Sequence, residues 1–159
     1  MKYLGTVVFA LAGTFTLMIF GGIIGAILFP VGPVTLLSGD QISLMESFGR
    51  MALVALYTTI SMTGMLALGL FISTLTTVPV GAMAATVVLA GVSQILDNLP
   101  QLSWLHEWLF THYWLDFADL LRQPIELGSL VSNALLQRGY IAVFGALAYS
   151  RFTTKDILS

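Results

Sequence analysis

The chain has 159 residues, of which 57% are hydrophobic and 9% charged, with a formal net charge of −2 and a mean hydropathy of +0.93. A soluble domain carries about 25% charged residues to cover its water-facing surface, so lipid must form much of the surroundings of a chain with so few. The acidic balance and the lack of a basic run exclude a nucleic-acid partner, and the lack of cysteine excludes disulfides, thiolate metal sites and thiol nucleophiles.

No charged residue lies between Lys2 and Asp40, a run of 37 positions, or between Arg50 and Asp97, a run of 46. A helix rising about 1.5 Å per residue needs about 20 residues to cross a hydrocarbon core about 30 Å thick. The first run therefore predicts one helix over about 3–29, closed by Pro30 and Pro33. It is much longer than the apolar core of about 7–15 residues in a cleaved signal peptide, so it reads as a helix that stays. The second run predicts two helices, about 51–75 and 78–96. They fold back at Ser73-Thr-Leu-Thr-Thr-Val-Pro-Val-Gly81, with Thr76 or Thr77 as N-cap and Pro79 in the first turn. A fourth span over about 130–150 carries Arg138 near its start, where a long side chain can reach the headgroups; the alternative is a functional charge facing a protein interior, on a path or an interface.

Between the third and fourth spans, the segment over about 100–124 holds Trp104, Trp108 and Trp114, every tryptophan in the chain. Its polar positions His106, Glu107, His112, Asp116, Asp119 and Gln123 recur every three to five residues, as on one face of a helix. This pattern predicts an amphipathic segment in the membrane interface, or two short helices in a re-entrant hairpin buried by protein. A metal reading of His106, Glu107, His112 and Asp116 is disfavoured, because the histidines are six apart and point different ways on a helix; the H-E-x-x-H zinc motif needs them four apart. No phosphate-binding glycine loop, nucleophile elbow or intramembrane acid cluster is present, so no cofactor and no catalytic residue are expected.

The predicted fold is an all-α integral membrane bundle of about four helices. Small residues at four-residue spacing offer close helix packing at Gly21 and Gly25, Gly81 and Ala85, and Ala142 and Ala146. Gln94 and Asp97 close the third helix; they mark its exit from the membrane or line a path through it. Lys2, Arg151 and Lys155 flank the outer two spans at one side, which places both termini in the cytoplasm of a multi-pass cell-membrane protein.

The order of these features resembles the permease subunits of type-two ABC exporters. The resemblance rests on the polar excursion Ser38-Gly-Asp-Gln-Ile-Ser-Leu-Met-Glu-Ser-Phe-Gly-Arg50, two helices turning at 73–82, an aromatic outer hairpin, and a last helix ending in Arg151-Phe152 with Lys155 and Asp156 following. The chain is similar to the last four of that family's usual six spans. The resemblance implies a non-enzymatic transport path, a separate ATPase subunit, and a second permease subunit in a dimer. The alternatives are a small structural or regulatory membrane protein packed against a larger complex, and a membrane enzyme using His106 and His112.

Overall fold

The computed structural model describes residues 2–156, with side chains described over 4–153. Its helices are α1 (Lys2–Leu28), α2 (Leu44–Leu75), α3 (Pro79–Asp97), a short α4 (Ser103–His106) and α5 (Gly128–Asp156). All but α4 are long and apolar enough to cross a bilayer, matching the expected all-α, four-span plan.

The helix boundaries follow from local chemistry. Pro30, which lacks an N–H, stops α1. In α2 the first turn is capped by Ser43, whose Oγ accepts from the Glu46 N–H at 3.3 Å; this Ser-x-x-Glu arrangement starts the helix seven residues before the expected position 51. The charge on Arg50 had marked the expected boundary, yet Arg50 lies inside the helix. At the other end, Thr76 and Thr77 do not cap α3. Its N-cap is Val78, without a side-chain bond, and Pro79 fills the first turn as expected. Thr76 instead ends α2, and its Oγ1 accepts the Val78 N–H at 3.1 Å.

Between α1 and α2 the chain forms a small antiparallel ladder not anticipated from sequence, with β1 (Val34–Thr35) on β2 (Gln41–Ile42). Gly39 turns it with φ +88°, a conformation costly for other residues.

Helix α2 is the hub, packing against α1, α3, α5 and the last connection. It runs parallel to α5: Ser61 meets Asn133, and one turn further on Gly64 meets Gln137. Gly64 is there because nothing larger fits. A Cβ at that position would collide with Gln137 Oε1 and lie 3.2 Å from Tyr140 Cβ. Helix α3 presents the buried stripe Ala82, Thr86, Ala90 and Ser93, small residues that let it approach α2 closely. The apolar centre is Leu68, Ala90 and Phe110, wrapped by Met65, Ile72, Trp114, Tyr140 and Phe144.

Replacing Gly64 by Leu is therefore expected to overpack the α2–α5 contact, costing about 1–3 kcal/mol and lowering the melting temperature in detergent by several degrees. Gly145→Ala, where a Cβ meets nothing within 4 Å, serves as the comparison. It is expected to be neutral or slightly stabilising in the same thermal melt, because alanine favours helix over glycine.

Candidate functional site

The connection from α3 to α5 is the least regular part of the chain and the most heavily bonded. A tight 3₁₀ turn, Pro100–Leu102, leads into α4. After the tip at 107–111, a second 3₁₀ stretch, His112–Leu121, returns toward α5. The expected single amphipathic face is thus broken into two legs that fold back on each other.

The tip is sunk among the helices at 109–111, while Glu107 and Trp108 stay exposed. Phe110 and Thr111 are buried. Thr111 meets Ser93 and Gln94 in the last turns of α3, and Phe110 meets Gln137, nine residues into α5. At about 1.5 Å per residue that is about 13 Å along the helix axis.

Backbone carbonyls so placed need protein donors, since an unpaired buried carbonyl is costly and lipid offers nothing to bond. The helices supply them. Phe110 O accepts from Gln137 Nε2 at 2.9 Å, and at the exposed edge of the tip Trp108 O accepts from the Tyr140 hydroxyl at 2.8 Å. Thr111 O accepts from Gln94 Nε2 at 3.2 Å, and Tyr113 O from the Tyr57 hydroxyl at 2.7 Å. Arg50 donates to Leu120 O at 3.1 Å, Arg122 O at 2.6 Å and Gln123 Oε1 at 2.5 Å, and pairs with Glu46 at 3.1 Å. Leu37 N–H bonds Leu121 O at 3.1 Å, which ties in the β1–β2 connection. In the reverse sense, Trp114 Nε1 donates to Ser61 O at 3.0 Å.

A second layer orients these donors. Gln137 Nε2 also bonds Asn133 Oδ1 at 3.2 Å, and its Oε1 accepts the Gly64 N–H at 3.0 Å. Asn133 Nδ2 bonds Ser61 Oγ at 2.7 Å. Ser61, Asn133 and Gln137 are each essentially fully buried.

The 3₁₀ form of the return leg has a geometric reason. Arg50 and Gly64 are fourteen residues apart on α2, about 21 Å at the α-helical rise. The return leg must cover that distance between Leu120 and Phe110, ten residues apart. A rise of about 2.0 Å per residue in a 3₁₀ helix spans it, whereas an α-helix of those ten residues would reach only about 15 Å.

Sequence-predicted residues divide into those the hairpin uses and those it does not. Gln94 holds Thr111, and Asp97 Oδ1 lies 2.7 Å from His112 Nδ1, so both anchor the tip to α3. The rings of His106 and His112 approach to 6.1 Å between centroids, contrary to the expectation that they point apart. The break at the tip, absent from a continuous helix, brings them together. Among the described residues no group of three or more His, Cys, Asp or Glu is placed to hold a metal. Burial, with help from Asp119, pushes the Asp116 carboxyl above the ordinary carboxylate range, and nearby His112 opposes the shift.

At Gly21 and Gly25 a Cβ would meet nothing within 4 Å, so within one chain that pair faces open space. Gly81 and Ala85 lie one residue off the buried stripe of α3 and are exposed, as are Ala142 and Ala146 on α5. Arg138 is exposed with no hydrogen bond or ion pair among the described residues. Arg151 and Phe152 are exposed near the end of α5, and the side chains of Lys155 and Asp156 lie outside the described residues. Sequence reasoning missed Arg50, Tyr57, Gln137 and Tyr140 as hairpin donors, and Asn133 as the group that orients Gln137. The four-residue spacing of Asn133 and Gln137 inside an apolar span was the available signal.

Comparison of the chain with known families, characterised proteins and solved structures finds no match.

Two outcomes follow from these contacts. Arg50→Met removes the donor that serves Leu120, Arg122 and Gln123, and is expected to cost about 1–3 kcal/mol, the scale for leaving a buried acceptor without its donor. Hydrogen exchange at residues 112–123 should accelerate in this variant while α1 amides stay unchanged. Because the Asp116 pKa is raised in the folded state, its ionisation opposes folding as pH rises above the carboxylate range, and the opposition vanishes once the group is protonated. Asp116→Asn is thus expected to raise the melting temperature at pH 7, with the gain fading as pH falls toward about 4.

Proposed function

We propose that this chain is the membrane-spanning permease component of an ATP-driven exporter of the type-two ABC class, coupled to a separate ATPase subunit and working beside a second permease subunit. It spans the cell membrane several times with both termini cytoplasmic. The observation that carries the reading is an aromatic hairpin with a buried tip, placed directly before a last span that carries Arg151-Phe152 near its end. The polar excursion before α2 and the short turn between α2 and α3 support it by their order.

The hairpin suits a moving bundle. Its tip and return leg are bonded to α2, α3 and α5 together, so any shift between those helices must remake these bonds. Such a joint favours two discrete arrangements over a continuum, and ATP binding on a partner would shift the balance between them. The open Gly21–Gly25 face borders a groove of about 620 Å³ between α1 and α2, where a second subunit could approach.

One observation favours the alternative of a structural or regulatory subunit. Ser61, Ser93, Thr111, Asn133 and Gln137, polar groups within the bundle, are all buried and bonded within the chain.

The two readings separate on purification of the native complex in mild detergent. The exporter reading expects a co-purifying subunit with a phosphate-binding glycine loop, and ATP-dependent cargo movement when both are reconstituted in vesicles. A native complex with no ATPase and no ATP-dependent transport would contradict it and leave the structural role.

A further inference from the structure

Arg138 and Glu107 carry opposite charges at a similar depth on separate faces of the protein, and neither meets a partner. Both side chains are exposed, with no hydrogen bond or ion pair among the described residues. Arg138 lies ten residues into α5, about 15 Å along the axis and about half of a hydrocarbon core about 30 Å thick. The hairpin tip carries Glu107 to a similar depth. The carbonyl of its neighbour Trp108 is bonded to the Tyr140 hydroxyl, and Tyr140 follows Arg138 by two residues, about 3 Å along the helix. Lipid solvates neither charge, and a glutamate side chain is too short to reach the headgroups from there. A partner outside the single chain has to serve both.

Position round α5 decides what that partner is. At about 100° per residue, Leu135, Ala142 and Ala146 lie about 40–80° round the helix from Arg138, and Gly139 and Val143 about 100–140°. The last two line a groove of about 660 Å³ between α5 and the hairpin, and Glu107, Trp108 and Tyr113 line it from the hairpin side. An exposed strip of Leu135, Ala142 and Ala146 therefore separates the cation from the groove that holds the acid. A two-fold rotation about an axis along the bilayer normal keeps every residue at its depth and exchanges the two sides of a strip set against that axis. Applied to this strip, it sets the Arg138 side of one copy against the Glu107 side of the other, twice. The two arginines fall on opposite sides of the axis, so like charges stay apart. The alanines let two α5 helices approach closely, as contacts within lipid require.

We propose that the chain forms a two-fold dimer through α5, in which each Arg138 enters the partner's groove and pairs with the partner's Glu107. The guanidinium then lies beside the exposed ring of the partner's Trp108, whose face attracts a cation. One protomer holds both halves of the pair at matching depth, the self-complementary arrangement that a second copy completes and an unrelated protein would have to reproduce. The groove between α1 and α2 has no charged side chain in its lining and offers no such pairing. The proposal requires α5 to cross a bilayer. It does not rest on the transport reading, which stands or falls on the co-purifying ATPase.

Charge reversal in the full chain tests this. Donor- and acceptor-labelled copies are mixed in phosphatidylcholine vesicles, and association is read by Förster transfer across a range of lipid-to-protein ratios. The chain has no cysteine, so both labels go on Ser38→Cys in the exposed α1–α2 connection. Arg138→Glu sets acid against acid and Glu107→Arg sets base against base, so each variant alone is expected to dimerise about a hundredfold more weakly. That is a factor of about ten for each of two equivalent close charge pairs. An equal mixture of the two variants restores both pairs, and its association is expected to return to that of the unmodified chain. Such rescue also demonstrates that both variants fold. A monomeric unmodified chain, or reversals that leave association unchanged, would overturn the proposal. So would variants that melt like the unmodified chain yet associate no better together than apart. Where a reversal fails to fold, disulfide capture in the otherwise unmodified chain decides. Ala146→Cys is expected to cross-link in the membrane, and Val87→Cys, at a residue 63% exposed on α3, to stay reduced. Equal cross-linking at the two positions, or none at 146, would overturn the proposal equally.

Discussion

A carbonyl that leaves a regular helix inside an apolar bundle has to find its donor in the protein, because lipid has none to give. A made hydrogen bond contributes only about 1 kcal/mol, but a buried acceptor left without one costs about 1–3 kcal/mol. The connection between α3 and α5 carries a row of such carbonyls between the helices, and this sets the terms for the rest of the molecule. Tyr57, Gln94, Gln137 and Tyr140 are polar groups within otherwise apolar helices, and each is at the height of a carbonyl it serves. Their presence in the spans follows from the hairpin.

The same constraint accounts for the length and centrality of α2. Arg50, Tyr57 and Gly64 recur at intervals of seven residues, one above the other on the face the hairpin follows. Arg50 meets the top of the return leg, Tyr57 its middle, and Gly64 lets Gln137 reach the tip. A helix beginning at 51 would have lost Arg50, and with it the donor for the last carbonyls of the leg. Arginine fits that place because its forked, permanently charged group can serve several acceptors at once. Helix α1, by contrast, takes no part in the hairpin bonds described. It packs on α2, and at Gly21 and Gly25 it leaves a groove open beside that helix.

The four long helices were legible in the sequence because two charge-free runs and a Pro-containing turn define them by length alone. The hairpin was legible as an aromatic, amphipathic segment bounded by Pro100 and Pro124. Its depth was not, because the partners that hold it lie far away in sequence: Tyr57 and Tyr113 are 56 residues apart, Arg50 and Arg122 72. Treating Arg50 as a boundary followed the ordinary rule that charges stay out of spans, and failed because carbonyls rather than water solvate it. Small-residue spacing pointed to Gly81 and Ala85, whereas the buried stripe is displaced by one residue to Ala82 and Thr86. The spacing was right and the register was not, since glycine and alanine are so common in α3 that the pattern fits more than one face. Gly64, which does carry a close contact, stood without a small partner four residues away.

The central structural claim is that the tip of the 98–127 connection is enclosed by the bundle while its flank stays accessible. Since the chain contains no cysteine, single cysteines report accessibility without background. A bulky, membrane-impermeant maleimide applied to the intact membrane-embedded protein should label Trp104→Cys, at a residue 71% exposed, and spare Thr111→Cys, at a residue 0% exposed. The expected contrast is rapid reaction at 104 and none at 111 until the protein is denatured. Equal labelling at both positions in the folded protein would mean that the segment lies on the surface, and that the helix donors do not hold it.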